Sequence, residues 1–262
     1  MNSGTDRSAI YHNLHEGQLA AKRDTNAHSA RRFFEILSGY LQPKSMLDVG
    51  CGLGTWMREA QVLGMEVAGV EGPWCEVDKL EIDKSLVTIT DLEQPIDLGR
   101  RFDLAVSLEV GEHLSKDAAP HLVRSLTKHA DHVIFSAAVH FQGGHHHVNE
   151  QFLDFWIDLF QQEGFVPLDI FRGTFWKDES IHWWLRQNAI FFVRAEAVEA
   201  NPKLKAESLV NRPMDIILPA IYYSRVAFGL DQITKLHGAL RLLYEGKAKL
   251  RETPDGIVVD RI

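Results

Sequence analysis

The segment Ser45–Gly54 reads SMLDVGCGLG: a short apolar run, an acidic residue and then three glycines at alternate positions. An apolar run that ends in glycines is typical of a buried strand leading into a tight turn. Glycine permits the turn and lets a ligand approach the backbone, because it has no Cβ. The next residues, Thr55–Leu63 closed by Gly64, predict a helix whose first N–H groups face the same ligand. The segment therefore predicts a strand, a binding loop and a helix.

Strand and helix patterns continue to alternate after this unit. Short apolar runs predict further strands at Glu66–Val70, Leu86–Thr90, Phe102–Ser107, His132–Ser136, Phe165–Ile170 and Ala189–Arg194. Apolar residues at helical spacing predict helices around 122–126 and over 152–160, the second with Asn149 as its N-cap and Gly164 as its stop. Such alternation favours an α/β fold with a mostly parallel seven-stranded sheet and helices on both faces.

The chain divides into three predicted regions. Residues 1–44 predict an N-terminal helical arm, whose helix begins near Ser29 and ends before Pro43. Residues 45–197 form the predicted α/β domain, and residues 198–262 a C-terminal helical extension. One amphipathic pattern in the extension is formed by Leu230, Ile233, Leu236, Leu240 and Leu243. That helix face either packs against the core or forms a homodimer contact.

The composition disfavours several classes of protein, but it does not identify a reaction, which has to be inferred from sequence motifs. The 262 residues carry a formal net charge of −8, which disfavours a protein that grips long nucleic acid by its phosphates. No apolar run reaches the roughly 18 residues of a membrane span, and the polar first residues contain no signal core. Cys51 and Cys75 fit a reduced protein better than a disulfide scaffold. We therefore expect a cytoplasmic protein with a small-molecule partner and neither a membrane nor a nucleic-acid partner.

Acidic residues stand at three predicted strand ends. Asp48 precedes the glycine loop, Glu71 closes the second strand and Asp91 follows the third. Glu71 can accept hydrogen bonds from both hydroxyls of a ribose, or it is an ordinary turn residue. Asp91 is either a ligand contact or a solvated loop acid. Because ligands bind at the carboxyl ends of strands in open α/β sheets, we expect these acids to share one pocket.

The G-x-G-x-G spacing after an acidic residue, the later acids and the run FDLAVS at 102–107 resemble class I S-adenosylmethionine-dependent methyltransferases over about residues 45–195. The resemblance implies a Rossmann-like fold and S-adenosylmethionine as the cofactor. It implies that the acid before the loop orders the loop and the methionine ammonium. It also implies that the acid after the third strand accepts from the adenine amino group, while its neighbour packs on the ring. The expected cofactor-binding residues are Asp48, Gly50, Gly52, Gly54, Glu71, Asp91, Leu92 and Glu109.

A second cluster follows the fourth strand, where the chain reads Glu109-Val110-Gly111-Glu112-His113. The glutamates are three residues apart and share a face on a helical turn. Two carboxylates and an imidazole suit a divalent ion such as Mg²⁺ or Mn²⁺. The pattern resembles the E-V-x-E-H of small-RNA 2′-O-methyltransferases, where a later histidine completes a metal site, and of ubiquinone-type O-methyltransferases. Many relatives have no established metal there, so Glu109 and His113 alternatively only shape the cofactor pocket.

Four histidines lie in the segment HFQGGHHHVNE, residues 140–150, directly after the fifth predicted strand. A surface histidine run is the simplest interpretation, but the segment faces the same sheet edge as the acidic cluster. His147 and Asn149 are favoured, because relatives that resemble this segment carry a His-x-Asn pair; His140, His145 and His146 stay open as alternatives. The predicted metal ligands are Glu109, Glu112, His113 and His147. The predicted catalytic residues are His147, His113 and Glu112.

Together these features predict an S-adenosylmethionine-dependent O-methyltransferase for a small hydroxylated molecule of the sugar or polyol type. A histidine can remove the hydroxyl proton as a general base, or a divalent ion can lower the pKa of the hydroxyl. His147 would be the base or a ligand, and Glu109, Glu112 and His113 would order the acceptor.

Three rival functions fit parts of the sequence less well. An RNA 2′-O-methyltransferase is suggested by the metal-like cluster but disfavoured by the net charge and the lack of an obvious RNA-binding module. A nicotinamide oxidoreductase is disfavoured because dinucleotide-binding folds carry G-x-G-x-x-G. A non-catalytic scaffold would have no need of intact cofactor residues.

Overall fold

The computed structural model of the chain describes residues 16–210, 214–245, 247–253 and 256–261. A seven-stranded sheet forms its centre, with the strands in the order β3-β2-β1-β4-β5-β7-β6. The strands are β1 (Ser45–Val49), β2 (Glu66–Glu71), β3 (Val87–Ile89), β4 (Leu104–Leu108), β5 (His132–Ser136), β6 (Phe165–Leu168) and β7 (Ile190–Arg194). β7 runs antiparallel to both of its neighbours, and the other pairs are parallel. The predicted mostly parallel seven-stranded α/β fold is confirmed.

Helices connect the strands and flank the sheet. They are α1 (Glu16–Leu37), α2 (Thr55–Val62), α3 (Ala119–His129), α4 (Leu153–Gln162), α5 (Arg172–Phe175), α6 (Trp183–Asn188), α7 (Ala195–Ala200) and α8 (Pro202–Ser208); a further helix, α9 (Pro219–Tyr244), follows later in the chain. None of the described helices combines the length and the apolar character that crossing a membrane requires.

Both faces of the sheet are covered, because successive strand residues point to opposite sides. In β1, Met46 packs in one apolar cluster with Phe33 of α1, and Leu47 packs in a second cluster with Leu126 of α3. All four side chains are completely buried. Because both faces of the sheet are buried, apolar residues follow one another along a strand, and the strand sequences are largely continuous apolar runs. The loops that follow β1, β2, β4 and β5 meet at one edge of the sheet, where the site lies.

Two helix boundaries differ from the sequence-based prediction. α1 is present from Glu16, well before Ser29, because its early residues favour a helix although they lack an apolar stripe. α4 begins at Leu153 with Phe152 in the N-cap position, so the prediction of Asn149 as N-cap is wrong. The Asn149 side chain instead donates to the carbonyl of Gly111 at 3.2 Å. The predicted stop at Gly164 is confirmed by its left-handed φ of 80°.

The chain divides into two compact units between Ile216 and Ile217. Leu204 of α8, which the predicted C-terminal extension includes, is completely buried within the first unit. The boundaries at 44/45 and 197/198 stay predictions. The second unit contains α9 and a hairpin of β8 (Ala248–Thr253) and β9 (Gly256–Arg261) that was not predicted. On α9, Leu230, Ile233 and Leu236 are each more than half exposed; packing and dimerisation stay predictions for this face.

Candidate functional site

The glycine loop follows β1 directly and turns through three left-handed residues. Gly50, Gly52 and Gly54 have φ values of 79°, 57° and 82°, a region that side chains with a Cβ avoid. Gly50 and Gly54 also sit against neighbours, because a Cβ would lie 2.3 Å from Val110 at the first and 2.7 Å from Ile82 at the second. At Gly52 a Cβ would meet nothing within 4 Å. The crest of the loop therefore faces open space.

That space is a cleft at the ends of β1 and β2. It is lined by Gly52, Leu53, Glu71, Trp74, Cys75 and Glu76. The Glu71 carboxylate accepts one hydrogen bond from the Gly52 N–H and one from the Gly72 N–H, each at 2.7 Å. Both bonds hold the carboxylate at the floor of the cleft, where its remaining lone pairs can accept from a ligand hydroxyl.

A second carboxylate lies close to Glu71. Asp48, at the end of β1, is only 4% exposed, and burial together with the charge of Glu71 raises its pKa to about 8. Burial also raises the pKa of Glu71, against the two backbone hydrogen bonds that lower it. Two buried carboxylates side by side favour a cationic ligand group. The ammonium and sulfonium charges of S-adenosylmethionine fit that requirement, and the open face at Gly52 leaves room for its backbone contact.

Asp91, the third predicted acidic residue, is more exposed than Asp48 and Glu71. Asp91 is exposed after β3, and its carboxylate accepts from the Glu93 N–H at 3.0 Å. The neighbouring Thr90 N–H donates to the Glu71 carbonyl at 2.9 Å, which places Asp91 beside the end of β2. Leu92 is 1% exposed and belongs to the apolar core. The structure thus brings Asp48 close to Glu71, which lines the cleft, and places Asp91 beside the end of β2 but outside the cleft lining.

The buried Asp48 carboxylate predicts a pH dependence of stability in ligand-free protein. Its pKa of about 8 when folded exceeds that of an unfolded aspartate, so the folded state binds this proton more tightly. The resulting stability is complete below about pH 4 and is lost as the pH rises through about 8. We expect Asp48→Asn to raise the free energy of unfolding at pH 8 by about 1–2 kcal/mol, measured by urea denaturation.

The matched control for this prediction is Asp117→Asn, because Asp117 is exposed, on the 3₁₀ turn Lys116–Ala118 before α3. We expect that control to leave unfolding unchanged, and Asp48→Asn to weaken S-adenosylmethionine binding at least about tenfold while it stabilises the protein. A destabilised Asp48→Asn protein at pH 8 would show that the carboxylate is held by compensating contacts.

The Glu-x-x-Glu-His segment forms a 3₁₀ turn, Gly111–His113, after β4. Glu109 precedes it with a left-handed φ of 55°, a conformation that is rare outside glycine and is found at functional sites. Its carboxylate accepts from Asn188 at 3.1 Å and from Gln142 at 3.1 Å. Glu109 is therefore fixed by two amides next to the turn.

Glu112 is completely buried, and neither of its carboxylate oxygens makes a hydrogen bond of standard geometry to a described residue, although the Glu109 carboxyl and the Ala138 backbone lie near enough to shift its pKa. Burial and the charge of Glu109 raise its pKa well above the ordinary value. An unsatisfied buried carboxylate is costly, and native proteins keep such groups mainly where a ligand or a proton completes them. Glu112 is thus the strongest sign of a functional centre at this edge.

The histidine loop brings a second imidazole close to the Glu112 carboxylate. Ligand atoms of Glu112, His113 and His147 all lie within 4.8 Å of one another. The two imidazole rings meet edge to face with centroids 4.9 Å apart. The Glu112 carbonyl accepts from the N–H groups of Val148 at 2.9 Å and of Asn149 at 3.1 Å, which ties the loop to the turn. The predicted catalytic set is brought together, although Glu109, the fourth predicted metal ligand, is not within this group.

His147 is oriented by a carboxylate behind it. Its Nδ1 lies 2.8 Å from Oε1 of Glu150, which also accepts from the Gly143 N–H at 2.6 Å. Because a carboxylate only accepts, Nδ1 carries the proton and Nε2 is left as the base or ligand atom. At Gly144 a Cβ would lie 2.2 Å from the His147 ring, so only glycine allows this approach.

The other histidines of the loop do not join the cluster. The rings of His145 and His146 contact each other with centroids 4.0 Å apart, and His140 contacts Phe152 at 5.0 Å. The sequence pattern did not reveal the residues that hold the predicted ones in place. These are Trp74, which hydrogen-bonds to Glu71, and Gln142, Glu150 and Asn188. Gln142 and Glu150 belong to the histidine-rich segment 140–150, but the sequence gives no indication of their role. Asn188 belongs to no recognisable motif.

The fold, the glycine loop and the acid at the end of β2 define an α/β domain that binds a nucleoside cofactor. The chain matches the sequence model of the methyltransferase domain family over residues 20–189. It belongs to that family and, with it, to the class I S-adenosylmethionine-dependent methyltransferase superfamily, as the resemblance implied.

Two named relatives and one solved structure are similar to parts of the chain. Ubiquinone biosynthesis O-methyltransferases of Rhodopseudomonas palustris are 31% identical over 116 residues in strain TIE-1 and 32% over 117 in strain BisB5, in each case 42% of this chain and 46% of the relative. The chain thus matches about half the length of these relatives. The crystal structure of Streptomyces venezuelae DesVI has a TM-score of 0.52 and 14% identity, covering 72% of this chain and 99% of that one; it supports the fold alone.

Proposed function

We propose that the protein transfers the methyl group of S-adenosylmethionine to a hydroxyl oxygen of a small hydroxylated molecule of the sugar or polyol type. The observation that carries the proposal is the unsatisfied Glu112 carboxylate beside His113 and His147, at the same sheet edge as the glycine loop. The naming of relatives as O-methyltransferases supports oxygen as the acceptor atom.

Methyl transfer to a hydroxyl requires two functions of the protein. The cofactor supplies an electrophilic methyl group, so the chain must hold the acceptor oxygen in line with it and remove the hydroxyl proton. His147 suits the second task, because the contact from Nδ1 to Glu150 leaves Nε2 as a proton acceptor on a ring that lies beside Glu112 and His113. In this scheme His113 would hold the acceptor by a hydrogen bond to one of its hydroxyls, and the buried Glu112 would act from behind it.

The test is transfer of an isotope-labelled methyl group from S-adenosylmethionine to a panel of sugars, polyols and phenols. NMR of the product identifies the methylated atom. We expect O-methyl products that depend on His147. Products methylated only at nitrogen or carbon would contradict the proposal.

A divalent ion is an alternative for the same three side chains. Glu112, His113 and His147 offer one carboxylate and two imidazoles within 4.8 Å, a set that suits Mn²⁺ and accommodates Mg²⁺. Glu150 behind His147 is the arrangement by which proteins orient a ligating histidine. A bound ion would lower the pKa of the acceptor hydroxyl, and His147 would then be a ligand instead of the base.

Manganese binding decides between the two schemes. If a metal is used, we expect Mn²⁺ to bind the wild-type protein and to bind Glu112→Gln at least about tenfold more weakly, measured by paramagnetic resonance. Glu66→Gln is the control, since the Glu66 side chain is 65% exposed on β2. Equal binding by all three proteins, with undiminished turnover in EDTA, would discard the metal and leave His147 as the base.

A further inference from the structure

We propose that Asn149 is a positioning residue for methyl transfer. Its amide holds the 3₁₀ turn after β4, which carries Glu112 and His113, in register with the loop that carries His147. The inference rests on the proposed function, since it takes these three side chains to act on the acceptor hydroxyl. Asn149 acts through the backbone of the turn, and the substrate is handled by the side chains that it holds in place.

The contacts of Asn149 join the two segments at consecutive carbonyls. Its side-chain Nδ2 donates to the Gly111 carbonyl at 3.2 Å, and its own N–H donates to the Glu112 carbonyl at 3.1 Å. The N–H of the preceding residue, Val148, donates to the same Glu112 carbonyl at 2.9 Å. Asn149 follows His147 by two positions, so it binds the histidine loop to the first two residues of the turn.

The amide of Asn149 is buried and has a partner at each end. The residue is 2% exposed, and its Oδ1 accepts from Nε2 of Gln151 at 2.9 Å. The N–H of Gln151 donates in turn to the Ala138 carbonyl at 3.3 Å. A buried amide is costly unless its donor and its acceptor are both satisfied. Because an apolar side chain or a carboxylate has no donor for the Gly111 carbonyl, the position requires a donor and an acceptor on one short side chain.

The turn itself is packed on the apolar core. At Gly111 a Cβ would lie 2.5 Å from the Trp156 ring, so the backbone of the turn rests directly on that ring. Trp156 is 1% exposed, and its ring contacts that of Phe135 on β5 with centroids 4.9 Å apart. Packing therefore fixes the turn to the core, whereas the bonds of Asn149 and Val148 fix the histidine loop to the turn.

The register between loop and turn decides the geometry of the proposed reaction. Ligand atoms of Glu112, His113 and His147 lie within 4.8 Å of one another. Proton removal needs the imidazole within hydrogen-bond reach of the acceptor hydroxyl, and a displacement of about 1 Å can cost roughly 100-fold in rate. A looser loop would therefore slow the transfer. It would leave the cofactor cleft unchanged, because the residues that line the cleft lie between positions 52 and 76.

Asn149→Asp tests the inference, because it keeps the shape of the side chain and replaces the donor by a carboxylate oxygen. With the hydroxyl acceptor found in the labelled-methyl panel, we expect kcat to fall about 10- to 100-fold, while KM for S-adenosylmethionine stays within about twofold of the wild type. In the ligand-free protein we expect the Val148 N–H to exchange with deuterium at least about tenfold faster, measured by NMR. Asn149→Ser, whose shorter side chain cannot reach both partners, should show smaller changes in the same direction, and it carries the test if Asn149→Asp fails to fold.

The matched control is Asn201→Asp. The Nδ2 of Asn201 also donates to a main-chain carbonyl, that of Tyr40, at 2.9 Å, and its Oδ1 accepts from the Lys203 N–H at 3.0 Å. This bond joins the start of α8 to the segment after α1, which carry no predicted site residue. We expect the control to lower the melting temperature by a similar amount and to keep the wild-type kcat and the wild-type exchange at Val148.

The outcomes separate the inference from the proposed function. A wild-type kcat in Asn149→Asp would overturn the positioning role even if the melting temperature fell, and so would a loss of kcat shared equally by Asn201→Asp. Unchanged exchange at Val148 would overturn it as well, because the loop would then be held without the amide. If the wild-type protein methylated no hydroxyl, the proposed function would be wrong and the positioning role in methyl transfer would fall with it, whatever the exchange at Val148.

Discussion

A Gly52→Val protein is expected to lose at least about 100-fold in affinity for S-adenosylmethionine while it remains folded. The expectation follows from the open space in front of Gly52, where a Cβ would meet no protein atom within 4 Å. A branched side chain there projects into the cleft beside Glu71 and occupies the volume that the cofactor needs. Calorimetry with S-adenosylhomocysteine measures the loss, and thermal unfolding measures the integrity of the domain.

The variant Gly99→Val is the control for the effect of backbone strain. Gly99 has a similar left-handed φ of 66°, and a Cβ at that position would also meet nothing within 4 Å, but Gly99 lies in an exposed loop before β4. Gly99→Val therefore carries the same conformational cost, about 1–2 kcal/mol, without obstructing the cleft. If the two variants bound the cofactor equally well, the cleft at Gly52 would not be the cofactor site.

A His147→Ala protein is expected to lose about 10²- to 10⁴-fold in kcat, with the affinity for S-adenosylmethionine unchanged. The imidazole offers a ring nitrogen within 4.8 Å of Glu112 and His113, and its Nδ1 is engaged by Glu150. Without it the acceptor hydroxyl keeps its proton. Single-turnover rates with the acceptor found by labelled-methyl screening would measure the loss.

Two further variants separate chemistry from structure. His145→Ala removes an exposed histidine two residues away and should leave kcat within about twofold of the wild type. Glu150→Gln keeps the shape but weakens the orientation of His147, so an intermediate loss of about 10- to 100-fold is expected. Equal activity of His147→Ala and His145→Ala would remove His147 from the mechanism.

The parts of the fold encoded by local sequence were predictable. The run from Ser45 to Gly54 specifies a strand and a turn by itself, because apolar residues and glycines act through neighbouring backbone. The cluster of Glu112, His113 and His147 could be predicted because strand ends meet at one edge of a parallel sheet. Local pattern and topology were sufficient in both cases.

What could not be predicted depends on contacts between distant segments. Asn188 donates a hydrogen bond to Glu109, which is 79 residues away in the sequence, and no local sequence pattern predicts that bond. Asn149 was misassigned as a helix cap because its side chain serves a tertiary bond to Gly111 instead. The hairpin of the second unit was missed although the sequence TPDG at 253–256 is typical of a turn, because the whole C-terminal region was predicted to be helical.

The burial of Asp48 beside Glu71 predicts that the cofactor stabilises the folded protein in addition to supplying the methyl group. A cationic ligand beside these carboxylates lowers the free energy of the native state, and the gain grows with the logarithm of its concentration above the dissociation constant. Resistance to proteolysis should therefore rise as the methyl donor becomes abundant. The lifetime of the protein would then follow the supply of the compound it consumes.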